Sequence, residues 1–209
     1  MKFVQNKILA IVFDYGGVIE LFSDTDFIST ITRIIGVTKE DWRKLYYSLN
    51  TLTNVEGREW KEVALIVAGK LGATKEQLDK ISNLIDEEKR NRKLNIELLE
   101  LIKKIRSLGF KTAILSNNTR ILREKITKQN ITDLFDAIVI SSEEGYQKPD
   151  PKLFEIAFKK LGVSASNVIF IDDATPSLKS AAEIGYTPIL YENNESLKNS
   201  LSKILNIDL

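Results

Sequence analysis

The apolar run Ile8-Leu9-Ala10-Ile11-Val12-Phe13 stops on Asp14 and is followed at once by Tyr15-Gly16-Gly17-Val18. A β-branched run of that length, bounded by glycines, reads as a buried strand. Its terminal carboxylate would stand at an open strand end, where open α/β sheets bind their ligands. The pattern also has a plainer use, since Asp and Gly start ordinary turns. The choice rests on how the other strands end.

Strand character recurs in Phe110–Leu115, Ala137–Ile140, Val168–Ile171 and Thr187–Leu190. Helical periodicity fills the spaces between the later ones. Asn95 begins a run whose apolar residues Leu98, Leu99, Ile102, Ile105 and Leu108 share one face, closed by Gly109. Asp150-Pro151 opens a second, with Pro at the first helical position and Gly162 at its end. Thr175-Pro176 opens a third that runs to Gly185, and Ser196–Ile207 reads as a closing helix. Strands alternating with helices imply an α/β fold with a parallel sheet covered on both faces.

From about Asp24 to Arg92 the pattern changes to helices alone: Thr38–Leu52, Arg58–Leu71 and Thr74–Arg90. Thr38-Lys39-Glu40-Asp41 has the form of a capping box with Asp in the Glu position. Trp42, Tyr46, Tyr47 and Trp60 supply aromatic mass, read mainly as the core of a helical insert and in part as pocket lining. Arg33, Arg43 and Arg58 are either contacts for an anionic substrate or solvated helix residues.

The chemistry open to the chain is narrow. It contains no Cys, and no His either, so thiolates, imidazole bases and Cys metal sites are all excluded. What remains is carboxylates, lysines, hydroxyls and a hard, oxygen-bound cation such as magnesium. Thirty basic residues against 29 acidic ones give a net charge of +1, which offers no general attraction to nucleic acid or anionic membrane. No apolar stretch has the length of a membrane span and no signal-peptide core is visible, so a cytoplasmic protein is expected.

Three more strand ends are polar. The second strand closes on Ser116-Asn117-Asn118 ahead of a helix, a pattern that suits an anion or simple helix capping. After the third strand, Lys148 is followed by Pro149-Asp150-Pro151; there a lysine can neutralise a phosphate oxygen or merely be solvated. The fourth ends in Asp172-Asp173, two acids that repel unless a cation or donors compensate them. A hard cation bridging Asp14 and Asp172 would account for both, given neighbouring strands.

Together these stretches resemble the haloacid dehalogenase-like (HAD) hydrolase superfamily. The matching segments are Ile11-Val12-Phe13-Asp14-Tyr15-Gly16-Gly17-Val18, Ile114-Leu115-Ser116-Asn117, Lys148-Pro149-Asp150-Pro151 and Phe170-Ile171-Asp172-Asp173, in that order. The resemblance implies a Rossmann-like core over residues 1–20 and 93–209, with a helical cap over 21–92. It implies a nucleophile at Asp14 that forms an aspartyl-phosphate, and magnesium held by Asp14, Asp172, the Gly16 carbonyl and Asp173. Ser116, Asn117 and Lys148 would hold the phosphoryl oxygens. The substrate would be a small phosphate ester, and the protein a monomer or small homo-oligomer.

One departure matters. Phosphatases of this superfamily usually carry an acid two positions after the nucleophile, and here that position is Gly16. Loss of a general acid costs on the order of 10²–10⁴ in rate. Tyr15 should face the other side of the strand, while Glu20 could reach back as a substitute. Slow phosphatase activity biased toward aryl or acyl phosphates is therefore expected. Two alternatives stand beside it. A 2-haloacid dehalogenase would use the same Asp on carbon, though such enzymes resemble Asp-x-Tyr-Gly-Thr at this motif. A non-catalytic phosphate-pocket module would explain Gly16.

Overall fold

The computed structural model describes residues 7–22 and 26–209; Asp24, the expected start of the helical insert, lies outside them. Among the described residues the first elements are Ala10–Phe13 (β1) and Glu20–Leu21 (β2), then Phe27–Ile35 (α1), Lys39–Leu49 (α2), Thr51–Asn54 (α3), Trp60–Lys70 (α4) and Lys75–Asn91 (α5). Lys93–Leu94 (β3), Ile96–Ser107 (α6), Lys111–Ser116 (β4), Ile121–Lys128 (α7) and Ala137–Ile140 (β5) follow. Ser141–Glu144 (α8), Pro151–Leu161 (α9), Val168–Asp172 (β6), Ala181–Ile184 (α10), Thr187–Leu190 (β7) and Asn194–Leu205 (α11) complete it.

Five strands form one parallel sheet in the order β5-β4-β1-β6-β7. The strands are continuous apolar runs because both faces are covered. On one face Ile11, Phe13 and Tyr15 pack with Leu98, Leu99, Ile102 and Ile105 of α6, Leu122 and Ile126 of α7, and Leu197 and Leu201 of α11. On the other, Ala10 and Val12 meet Leu153, Phe154, Ala157, Phe158 and Leu161 of α9. Phe154, Phe158, Phe170 and Tyr186 form an aromatic cluster there. The fold is α/β with a Rossmann-like core.

Local signals place most of these helices. Asn95 caps α6 by accepting from Leu98 N–H, and Asp150 caps α9, whose first residue is Pro151. Gly162 ends α9 with φ 66°, a conformation that glycine adopts without steric cost. Both Thr38 and Thr74 form full capping boxes, with Asp41 and Gln77 respectively. Such caps are worth about 1 kcal/mol each; burial of an apolar face decides the rest.

Helices α1–α5 build a separate core from Ile31, Trp42, Val63, Ala64, Val67, Ala68, Ile81 and Ile85. Trp42 is buried and Tyr46 and Trp60 pack on this core, whereas Tyr47 is exposed. Arg33, Arg43 and Arg58 are exposed, and Arg58 pairs with Glu62 at 3.2 Å.

Several features differ from expectation; the single run expected over Thr38–Leu52 is split at Asn50 into α2 and α3. Helix α1 is additional, although Phe27, Ile28, Ile31, Ile34 and Ile35 have helical spacing. A short antiparallel ribbon, β2–β3, pairs Glu20 with Leu94 where the chain enters and leaves the insert. The expected helix from Thr175 to Gly185 is broken into a 3₁₀ turn, Thr175–Leu178, and α10. At the break Ser180 takes ψ −3°, and its buried hydroxyl pairs with Tyr186 at 3.2 Å. That tertiary contact outweighs helix propensity.

Candidate active site

The register of the sheet assembles the site. Phe13 pairs with Ile171, so Asp14 and Asp172 stand side by side one residue further on, and Asp14 N–H donates to the Ile171 carbonyl at 2.8 Å. Period-2 alternation turns Tyr15 to the opposite face, where its hydroxyl meets Gln129 Oε1 at 2.8 Å and Glu20 Oε1 at 3.2 Å. Burial pushes that hydroxyl's pKa well up.

Lys148 lies between α8 and α9 with its side chain only 2% exposed. Its ammonium bridges the two strand-end acids, 3.0 Å from Asp14 Oδ1 and 2.5 Å from Asp172 Oδ2. Burial pulls the lysine's pKa down, but these carboxylates overcome it and hold the value above the ordinary one. The Lys148–Pro149 peptide is cis. Asn117 fixes the lysine's main chain from both sides, accepting from Lys148 N–H at 2.7 Å and donating to its carbonyl at 3.0 Å.

Asp14 Oδ1 takes both the lysine and the Tyr15 N–H, the latter at 2.7 Å; Oδ2 takes neither. Asp172 is fully buried, and its Oδ1 accepts from Ala174 N–H at 2.7 Å. Asp173 completes the group: Asp14, Asp172 and Asp173 each present an oxygen within 4.8 Å of the others. Gly17 permits this approach. A Cβ there would run into the Asp173 carboxylate, 2.6 Å from its Cγ, and the backbone has φ +80°.

Three carboxylates share one ammonium, so the group is short of positive charge. Burial, reinforced by Asp172, pushes Asp14 up to about 7 despite Lys148, and raises Asp173 to about 6 by the same two causes. An all-oxygen donor set of this charge suits a hard divalent cation such as magnesium. Ser116, the buried last residue of β4, lies on the strand adjacent to β1, and Gly16 follows Asp14 on the connecting loop. Glu20 does not reach back. It is 4% exposed, and its carboxylate is held by Lys125 at 2.5 Å, Tyr15 at 3.2 Å and Arg92 at 3.8 Å.

The insert touches this machinery through Gln147, a residue that no motif or spacing marks. Asn54 donates to Gln147 Oε1 at 2.8 Å, and Gln147 donates to Asn50 Oδ1 at 3.3 Å. The residue beside Lys148 is thus gripped by two asparagines at helical spacing.

The family model for haloacid dehalogenase-like hydrolases matches residues 8–185. The chain belongs to that family. Mouse acyl-CoA dehydrogenase family member 10 is 32% identical over 112 residues, which are 54% of this chain and 10% of that protein. Glyceraldehyde 3-phosphate phosphatase of Pyrococcus abyssi is 30% identical over 91 residues (43% of this chain, 38% of the relative). (S)-2-haloacid dehalogenase 1 of a Pseudomonas species is 31% identical over 86 (41% and 38%). The hydrolase spans well under half the length of these relatives. Among solved structures, a HAD-family enzyme from Bacteroides thetaiotaomicron, in complex with magnesium and inorganic phosphate, superposes with TM-score 0.60 at 19% identity, covering 91% of this chain and 98% of that one. Among the described residues, no helix is long and apolar enough to cross a membrane.

Proposed function

We propose that this HAD-like hydrolase is a magnesium-dependent phosphatase acting on a small phosphate monoester through an aspartyl-phosphate on Asp14. The observation that carries the reading is the convergence of Asp14, Asp172 and Asp173 around the buried Lys148 at adjacent strand ends. Displacement on carbon by one carboxylate needs no such charge cluster, whereas phosphoryl transfer depends on positioning and charge neutralisation.

Asp14, Asp172, Asp173 and the Gly16 carbonyl would hold magnesium, which supplies Lewis-acid neutralisation of the phosphoryl oxygens. Asp14 Oδ2, the oxygen not engaged by Lys148 or Tyr15 N–H, attacks phosphorus as the bond to the ester oxygen breaks. Lys148 and Ser116 hold the equatorial oxygens. The Asn117 side chain is committed to Lys148, so its own contact with the anion falls to its backbone N–H. Water then attacks phosphorus, releasing phosphate and restoring the Asp14 carboxylate. The insert over 21–92 serves as the cap, closing on the site through Gln147.

With glycine at position 16 and Glu20 engaged elsewhere, neither supplies a proton to the leaving oxygen. Esters of acidic alcohols should therefore turn over fastest. The test is phosphate release from a panel of monoesters, with and without magnesium. Magnesium-dependent release abolished by Asp14→Asn supports the reading. Metal-independent halide release from 2-haloacids would favour the dehalogenase suggested by the Pseudomonas relative, and neither activity would favour a binding module.

A further inference from the structure

Gly16 stands two residues after Asp14 on the turn that leaves β1, bridged to Glu20, so the chain itself holds this position close to the candidate nucleophile. Among the described residues, the one atom within 4 Å of a Cβ built there is Cζ of Phe22, at 3.7 Å. Phe22 is 41% exposed and belongs to none of the three apolar cores. An aromatic ring left uncovered on a loop is held in place by something else, and here that is Arg92. Its guanidinium lies 4.8 Å from the ring centroid and is itself placed by Glu20 at 3.8 Å and Glu88 at 3.7 Å.

We propose that Phe22, braced by Arg92, is the leaving-group wall of this site and selects aryl phosphate monoesters. The inference rests on the phosphatase reading above and deepens it. Two independent features converge on one substrate class. Glycine at position 16 offers no proton, and a phenolate needs little protonation to depart. The ring that bounds the same space offers an aromatic leaving group an offset-stacked or edge-to-face partner. An alkyl phosphate gains from neither.

The experiment compares kcat/KM for phenyl phosphate and for ethyl phosphate in the wild type, Phe22→Ala, Phe22→Leu and Phe22→Trp, with magnesium present. Phe22→Ala should lower kcat/KM for phenyl phosphate by roughly three- to tenfold more than for ethyl phosphate, the worth of one aromatic contact. Phe22→Trp should retain the preference and Phe22→Leu recover part of it. Thermal unfolding of each variant, expected to match the wild type because the ring is outside the cores, separates a folding defect from lost selectivity. Equal changes on both substrates, or none, would overturn the assignment of Phe22 while leaving the phosphatase reading intact. A wild type that releases no phosphate from either ester would overturn both.

Discussion

Gly16 and Gly17 are adjacent glycines with opposite tolerances. Position 17 has φ +80° and sits against the Asp173 carboxylate, so any side chain there both strains the backbone and displaces an acid of the cluster. Among the described residues, position 16 has only Phe22 Cζ nearby, at 3.7 Å, and its backbone is not left-handed. Gly16→Asp should therefore fold and restore a proton donor beside the leaving group. We expect kcat on alkyl phosphates to rise, by on the order of 10² if the carboxyl is well placed, with a smaller gain on aryl phosphates. A rate series across leaving groups of graded acidity checks this; an unchanged slope would show that the carboxyl does not reach the ester oxygen. At this scale Asp14, Ser116, Lys148 and Asp172 were readable because each interrupts an apolar run or a Pro-bounded loop. Phe22 and Gln147 were not. Gln147 matters through Asn50 and Asn54, more than 90 positions away, and Phe22 through Arg92 and a turn that brings it back to Gly16, none of which a local spacing records.

Elements with strong local grammar stood out in the sequence: α6 and α9 carry a cap residue, an apolar stripe and a terminal glycine. The β2–β3 ribbon is two residues long on each side, too short to leave a pattern, and it exists because the insert must leave the core beside the point where it enters. The contact that Gln147 makes between insert and core is equally invisible in sequence, being made of side-chain amides. Gln147→Ala removes two hydrogen bonds, each worth about 0.5–1.5 kcal/mol. Amide exchange should quicken within α2 and α3 while β1, β4 and β6 stay protected. Turnover should fall as the loop carrying Lys148 loosens. Unchanged exchange in α2 and α3 would mean that other contacts hold the insert down.

For the molecule as a whole, the alternation of strands and helices dictated a doubly covered parallel sheet, and strand order placed Asp14 beside Asp172. What alternation cannot give is the charge balance at the sheet edge. Asp14, raised from 3.8 to about 7, and Asp173, raised to about 6, hold protons in the folded protein that the unfolded chain has already released. Between those limits the unfolded state binds fewer protons, so stability falls as pH rises. Chelator-treated protein should melt at a lower temperature at pH 8 than at pH 5, and magnesium should recover the loss at pH 8 by binding the folded state. A melting temperature that climbs with pH in chelator would contradict this charge balance.

Covalent chemistry at Asp14 leaves a phosphoryl group on the enzyme that acid-quenched turnover can trap. Protein mixed with magnesium and an aryl phosphate, quenched within the first turnovers and mapped by peptide mass spectrometry, should carry one phosphoryl group on Asp14, absent in Asp14→Asn. Steady phosphate release with no phosphoryl group on Asp14, or undiminished release by Asp14→Asn, would show that Asp14 is not the nucleophile.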